Sequence, residues 1–235
     1  MGEGNLSLLL LAGEGQGMRA NARRASMTRS WIKICGITRI EDAIAAESLG
    51  ASAVGFVFYP GSRRYIAPEN ARRISDSLRP ETERIGVFVD ESRETIRTIF
   101  EQAGLTAVQL HGSEPPEMIR ELAGIRVIKA FSVGAGFTPE RLSDYPAYAC
   151  LLDTFVEGRY GGTGKPFDWI VARECAGFGR IILAGGINPG NAAEALRIAR
   201  PWGLDVSSGV ESSPGKKDDR KMAALFRAVS EELIA

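Results

Sequence analysis

The chain is poor in the residues from which most catalytic centres are built. Its 235 residues include one histidine, His111, and three cysteines, Cys35, Cys150 and Cys175. A zinc site needs several cysteine or histidine ligands at short spacings, and the sequence has no C-x-x-C pair and no histidine cluster. A Ser-His-Asp hydrolase would have to use His111, yet no G-x-S-x-G segment carries a nucleophile. These gaps argue against a metal site and against a serine hydrolase.

An excess of charge is also missing, since 29 basic residues balance 29 acidic ones. Binding to nucleic acid or to a membrane surface needs a basic excess that neutralises phosphates. No apolar run approaches the ~20 residues that a membrane-spanning helix requires. The cysteines are unclustered and odd in number, which favours a reducing compartment, the cytoplasm. We therefore expect a small-molecule ligand, with no nucleic acid and no membrane as partner.

Residues 1–30 differ in composition from everything after them. Their apolar stretch, 6–12, follows Glu3 rather than the positive segment of a secretory signal, and the rest mixes arginine with glycine, alanine and serine. We expect a flexible leader, disordered or upstream of the native start. Residues 31–235 are expected to form a single catalytic domain.

From Trp31 onward, apolar runs alternate with segments of helical period. This alternation predicts parallel strands joined by right-handed helical crossovers. Eight runs favour a closed (β/α)₈ TIM barrel, because an open sheet usually has nearer six strands and would show a dinucleotide fingerprint. Segment 138–145 is too interrupted for a full fifth helix, so a short helix or a loop is expected there. The predicted strands are 32–35, 54–58, 85–89, 107–110, 127–131, 150–153, 181–184 and 204–207, and the predicted helices are 40–49, 68–78, 92–103, 115–122, 167–175, 189–199 and 218–233.

In such a barrel the carboxyl ends of the strands carry the active site. Cys35 ends the first predicted strand and Asp153 the sixth, so a thiol and a carboxylate can face each other over one substrate. Strand alternation puts Gln109 and His111 on one face of strand four. The same rule puts Lys33 below Cys35, where it could lower the thiol pKa from about 8.5.

Small residues follow strands seven and eight, where barrels of this type often bind phosphate on backbone N–H groups. Gly185 and Gly186 follow strand seven, and Ser207, Ser208 and Gly209 end or follow strand eight. Residues without Cβ let an anion approach the backbone, although plain turns are the alternative. Asp205 lies a layer deeper, where an ion pair with Lys33 and a catalytic role are equally open.

Two loops suit a ligand. The loop at 59–65 carries Arg64, whose guanidinium can bind a carboxylate in bidentate fashion. The loop at 158–166 is glycine-rich and suited to a lid. It is no ATP-binding P-loop, because Arg159 and Pro166 stand where that motif needs glycine and a hydroxyl residue.

Six segments, in order over residues 31–233, together resemble the phosphoribosylanthranilate isomerases of tryptophan biosynthesis. They are KICGIT at 33–38, GFVFYP at 55–60 with SRRYI at 62–66, VQLHG at 108–112, LLDT at 151–154, GGTGK at 161–165 and DVSSGVE at 205–211.

The resemblance implies an Amadori rearrangement of N-(5-phosphoribosyl)anthranilate to 1-(2-carboxyphenylamino)-1-deoxyribulose 5-phosphate. It implies Asp153 as general acid, Cys35 as general base and Arg64 as the ligand of the anthranilate carboxylate, and it requires no metal or other cofactor. Gln109 and His111 are expected to orient the substrate, while Gly186, Ser208 and Gly209 hold its phosphate. The full set of expected substrate-binding residues is Arg64, Gln109, His111, Gly185, Gly186, Asp205, Ser207, Ser208 and Gly209.

Three alternatives keep some weight. A histidine-pathway ribotide isomerase would have aspartate in place of Cys35, and a metal-dependent pentose-phosphate epimerase would need several histidines. A non-catalytic phosphate-binding barrel would keep the glycine loops but lose Cys35 and Asp153. The sequence is compatible with a monomer or a homodimer.

Overall fold

Eight parallel strands close into a barrel in the order of the chain, which confirms the predicted (β/α)₈ fold. The computed structural model describes residues 30–134, 136–154 and 168–234. The predicted leader, apart from Ser30, and the predicted lid at 158–166 lie outside these residues. The strands are β1 Trp31–Cys35, β2 Ala53–Val57, β3 Glu83–Phe88, β4 Ala107–Leu110, β5 Arg126–Val133, β6 Ala149–Thr154, β7 Ile181–Leu183 and β8 Gly203–Val206.

Helices follow the strands as the hydrophobic period predicts. The fifth connection holds a 3₁₀ helix, Pro139–Asp144, so the expected short fifth element is confirmed. No helix within the described ranges is long and apolar enough to cross a membrane. The helices are α1 Ile40–Leu49, α2 Pro68–Ser75, α3 Arg93–Gln102, α4 Pro116–Glu121, α5 Trp169–Glu174, α6 Ala192–Ala199 and α7 Asp219–Ile234, with further 3₁₀ turns at Cys175–Phe178 and Ser208–Val210.

A short antiparallel hairpin after β8 was not predicted. It pairs β9, Glu211–Ser213, with β10, Lys216–Lys217. Strands of two and three residues are too short to show an alternating pattern, so periodicity could not find them. Gly215 turns the chain between them with φ +81°, in the left-handed region.

Alternation along each strand sorts side chains between two cores. Outward residues such as Ile34 and Phe56 pack under the helices, while inward residues such as Ala53 and Ile85 fill the barrel. At the amino-terminal end, Trp31, Tyr148 and Trp202 pack against the inner core. Polar inward residues are therefore left at the carboxyl ends of the strands, where a ligand can reach them.

Candidate active site

Cys35 and Asp153, at the carboxyl ends of β1 and β6, line one cavity. Gly209 is the predicted site residue that does not line it; a Cβ at this position would collide with the carbonyl oxygen of Ile187. The cavity brings together the other predicted residues, Arg64, Gln109, His111, Gly185, Gly186, Asp205, Ser207 and Ser208.

Below the thiol of Cys35 lies the buried ammonium group of Lys33. Lys33 Nζ is 3.3 Å from Cys35 Sγ, 2.6 Å from Gln109 Oε1 and 3.1 Å from Asp205 Oδ2. An ammonium group has three N–H donors, and these three acceptors use all of them. The buried Lys33–Asp205 ion pair, one of the two roles that the sequence left open for these residues, is present.

Lys33 does not bring the Cys35 pKa below its ordinary value, as the sequence suggested it could. Burial of the thiol raises its pKa, and the charge of Asp205 raises it further. Lys33 and Lys217 lower it, but by less, so the net direction is upward. Burial also pushes the Lys33 pKa down, yet Asp205 and Cys35 outweigh burial and the lysine stays protonated.

Alkylation of Cys35 provides a test of this pKa direction. We expect its rate with iodoacetamide to rise about tenfold per pH unit and to keep rising past pH 9, because only the thiolate reacts. Cys150 and Cys175, buried and with pKa values raised to about 11, should stay unmodified. Mass spectrometry of the native chain, with Cys35→Ser as control, measures each site. A plateau below pH 8 would show a lowered pKa instead.

The carboxylate of Asp153 is held from two sides. Its Oδ1 accepts the Thr154 backbone N–H at 2.7 Å, and its Oδ2 lies 3.4 Å from His111 Nε2. On the other side of the imidazole, His111 Nδ1 lies 2.7 Å from Gln109 Nε2. Gln109 is buried and bonds to Lys33 and His111, so protein groups already occupy both ends of its amide.

A second buried ion pair anchors the backbone around His111. Lys129 Nζ is 2.7 Å from a Glu114 carboxylate oxygen and donates to the carbonyls of Gly112, at 2.7 Å, and Leu110, at 3.4 Å. Glu114 accepts the Gly112 N–H at 3.0 Å. Sequence reasoning missed this pair because Lys129 lies on the outward face of β5, in no recognisable motif.

Arg64 lines the cavity, and Glu211 of the unpredicted hairpin holds its guanidinium in place. Its Nε and Nη2 donate to the Glu211 carboxylate at 2.9 and 2.6 Å. Glu211 also accepts from Lys217 Nζ at 2.8 Å, and Lys217 donates to the backbone carbonyls of Cys35 and Ser207. The Glu211 carboxylate thus binds one edge of the Arg64 guanidinium. Among the described residues Nη1 has no hydrogen-bond partner, so the other edge is left for a ligand.

Gly185 and Gly186, after β7, have φ values of +77° and +73°, which suit glycine. A Cβ on Gly185 would collide with the hydroxyl of Thr154 and come within 2.7 Å of Asp153 Oδ1. The backbone here therefore approaches the proposed acid closely.

The rest of the cavity wall is largely apolar, and its residues are not among the site residues predicted from the sequence. Positions on and after β2 and β3 supply most of it, and the turn after β7 supplies the rest. Strand alternation contained the signal that could have found the positions on the strands. Within the described residues, no group of histidine, cysteine, aspartate or glutamate is arranged to hold a metal ion. The additional lining residues are Val57, Tyr59, Ser62, Val87, Val89, Ala184 and Ile187.

Comparison with known proteins shows similarity to one family over most of the chain. The family model described as N-(5'-phosphoribosyl)anthranilate (PRA) isomerase matches residues 32–228. The N-(5'-phosphoribosyl)anthranilate isomerase of Trichlorobacter lovleyi is 47% identical over 203 residues, covering 86% of this chain and 98% of the relative.

Solved structures of the same family are similar to this chain as well. A phosphoribosyl anthranilate isomerase from Thermus thermophilus superposes with a TM-score of 0.80 at 46% identity, covering 86% of this chain and 98% of that one. A second structure, of such an isomerase in complex with reduced 1-(o-carboxyphenylamino)-1-deoxyribulose 5-phosphate, has a TM-score of 0.78 at 43% identity, with 86% and 100% covered.

Proposed function

The chain belongs to the N-(5'-phosphoribosyl)anthranilate isomerase family, and on this premise we propose how its residues carry out the reaction. It is a phosphoribosylanthranilate isomerase of tryptophan biosynthesis, an intramolecular oxidoreductase of the aldose–ketose type. The reaction moves hydrogen from C2′ of the ribose toward C1′, so C2′ is oxidised to a ketone and C1′ is reduced. No external oxidant or reductant is needed, and two positioned proton-transfer groups suffice.

We assign ring opening to Asp153. As general acid it gives a proton to the furanose ring oxygen, the C1′–O bond breaks, and a Schiff base forms between C1′ and the anthranilate nitrogen. The Thr154 N–H donates to one oxygen of the carboxylate that is left behind, and the imidazole Nε2 of His111 lies 3.4 Å from the other. Such donors stabilise charge that develops during the reaction.

Removal of the C2′ proton is assigned to Cys35. The thiolate takes the proton, the electron pair moves through C1′ to the nitrogen, and the resulting enolamine tautomerises to the ketone. Lys33, 3.3 Å from Sγ, stabilises the thiolate against the cost of burial. The observation that carries the proposal is that Cys35 and Asp153 line one cavity from two different strands.

We propose one orientation for the substrate in the cavity. The free edge of Arg64 would bind the anthranilate carboxylate, and the aromatic ring would lie against Tyr59 and neighbouring valines. The phosphate would reach the backbone of Gly186 and Ser208. Asp205 Oδ1, buried and without a hydrogen-bond partner among the described residues, can accept from a sugar hydroxyl.

Loss of anthranilate fluorescence on incubation with the purified protein tests the activity directly. Every residue proposed for the site belongs to one chain, so a monomer or a homodimer would both be competent. We propose the cytoplasm as its compartment, where the pathway's phosphorylated intermediates would be retained.

Substitution of Gly209 by alanine should weaken phosphate binding. The added Cβ would collide with the Ile187 carbonyl and push the Ser208–Val210 turn away, so we expect KM to rise about tenfold or more, within the ~1–3 kcal/mol that overpacking costs. Inhibition by inorganic phosphate should weaken in parallel. Gly177→Ala is the control, since its Cβ meets nothing within 4 Å. Equal KM values in the two variants would remove Gly209 from the phosphate site.

A further inference from the structure

A line of polar contacts joins the proposed base to the proposed acid, hydrogen-bonded from Cys35 to His111 and closed by a 3.4 Å contact between His111 and Asp153. It runs from Cys35 Sγ to Lys33 Nζ (3.3 Å), to Gln109 Oε1 (2.6 Å), from Gln109 Nε2 to His111 Nδ1 (2.7 Å), and from His111 Nε2 to Asp153 Oδ2 (3.4 Å). Lys33, Gln109 and His111, which lie between Cys35 and Asp153, are not groups to which the reaction assigns a proton transfer. These three side chains must therefore act through the atoms that they orient.

The ammonium group of Lys33 fixes the direction of every bond that follows. It has donors and no acceptor, so the Gln109 atom facing it at 2.6 Å must be the amide oxygen. The amide NH₂ then points at His111 Nδ1 and can only donate. A proton on Nδ1 would set two donors against each other at 2.7 Å. The proton of the neutral imidazole consequently lies on Nε2, the nitrogen that faces Asp153.

We propose that Lys33 and Gln109 are positioning residues that hold His111 in its Nε2–H tautomer, so that the imidazole N–H faces the Asp153 carboxylate. This revises the expectation that Gln109 orients the substrate directly, because both ends of its buried amide are already bonded to protein. The benefit to catalysis rests on the proposed role of Asp153, whereas the tautomer itself does not.

The tautomer matters because of what Asp153 becomes when it gives up its proton. The new carboxylate finds the Thr154 N–H on one oxygen and the His111 N–H facing the other. With the proton on Nδ1 instead, the Nε2 lone pair would face the developing negative charge. Fixed donors of this kind cost no reorganisation during the reaction.

His111 is the single histidine of the sequence, so its ring signals can be assigned without ambiguity. The experiment uses the full chain without a histidine tag, labelled with ¹⁵N in the imidazole, at a pH where the ring is neutral. Couplings to the ring carbon-bound protons distinguish Nδ1 from Nε2. We expect a protonated Nε2 and an unprotonated Nδ1. A protonated Nδ1, or an exchanging mixture of tautomers, overturns the proposal.

Two substitutions test the role of Gln109. Gln109→Glu replaces the donating NH₂ with an acceptor, so Nδ1 should gain a proton and kcat should fall by about ten- to a hundredfold with KM within about threefold. Gln109→Met removes both bonds and should give mixed tautomers with a similar loss. Gln102→Met, on the exposed end of α3, is the matched control and should change neither the spectrum nor kcat.

The outcomes separate the two proposals. Wild-type kcat in Gln109→Glu, with Nδ1 protonated, overturns the positioning role even if Asp153 is the acid. Full activity of an Asp153→Asn variant would overturn the acid assignment and leave the wild-type tautomer result intact. The wild-type spectrum decides the tautomer even if Gln109→Met does not fold.

Discussion

Replacement of Asp153 by asparagine should lower kcat for loss of anthranilate fluorescence by about a thousandfold, within the ~10²–10⁴ that one proton-transfer group contributes. Asparagine keeps the size of the side chain, and its carbonyl can still accept the Thr154 N–H. It has no acidic proton to give to the ring oxygen, so the furanose would stay closed. Because the phosphate and carboxylate sites are untouched, KM should change by only a few-fold.

A surface aspartate provides the control for this variant. Asp76 is exposed at the end of α2, where it pairs with Arg72, and Asp76→Asn should keep kcat within about twofold, since surface changes are usually worth less than ~0.5 kcal/mol. Asp153→Asn turning over at a similar rate would remove Asp153 from ring opening.

Conversion of Cys35 to alanine should lower kcat by a comparable factor, about a thousandfold, because it removes the group that takes the C2′ proton. Ring opening does not need the thiol, so substrate labelled with deuterium at C2′ should retain its label. The Cys35 side chain is small, so the loss of its sulfur should leave the barrel folded. Circular dichroism can check this.

The buried cysteine of β6 is a matched comparison. Cys150 packs in the outer core, away from the cavity, and Cys150→Ala should cost stability, on the order of 1 kcal/mol, but leave kcat near wild type. Near-normal turnover by Cys35→Ala, or release of the C2′ label by that variant, would overturn the base assignment.

Sequence reasoning located the barrel and the two strand ends because these follow from periodicity alone. The inward positions 33 and 35, 109 and 111, and 153 share the parity that alternation demands, and the strands are close to their predicted bounds. Strands β7 and β8 end one residue earlier than predicted, so Ala184 and Ser207 leave the ladder and form the start of their loops.

The charged contacts around Cys35, Arg64 and His111 could not be predicted from the sequence. The Cys35 pKa depends on burial and on Asp205, which lies 170 residues away in sequence and beside Lys33 in space. The supports of Arg64 and of His111, namely Glu211 with Lys217 and Lys129 with Glu114, are likewise contacts between distant segments. Such pairs are set by packing, and one sequence carries no signal for them.

The measurement closest to the central claim is a structure of this chain bound to reduced 1-(o-carboxyphenylamino)-1-deoxyribulose 5-phosphate. The account predicts Cys35 Sγ within about 4 Å of C2′ on one side of the sugar chain, and an Asp153 carboxylate oxygen within about 3 Å of the hydroxyl derived from the ring oxygen on the other, as proton transfer requires. A ligand that contacts only one of these two groups, with the other turned to a separate part of the cavity, would contradict it.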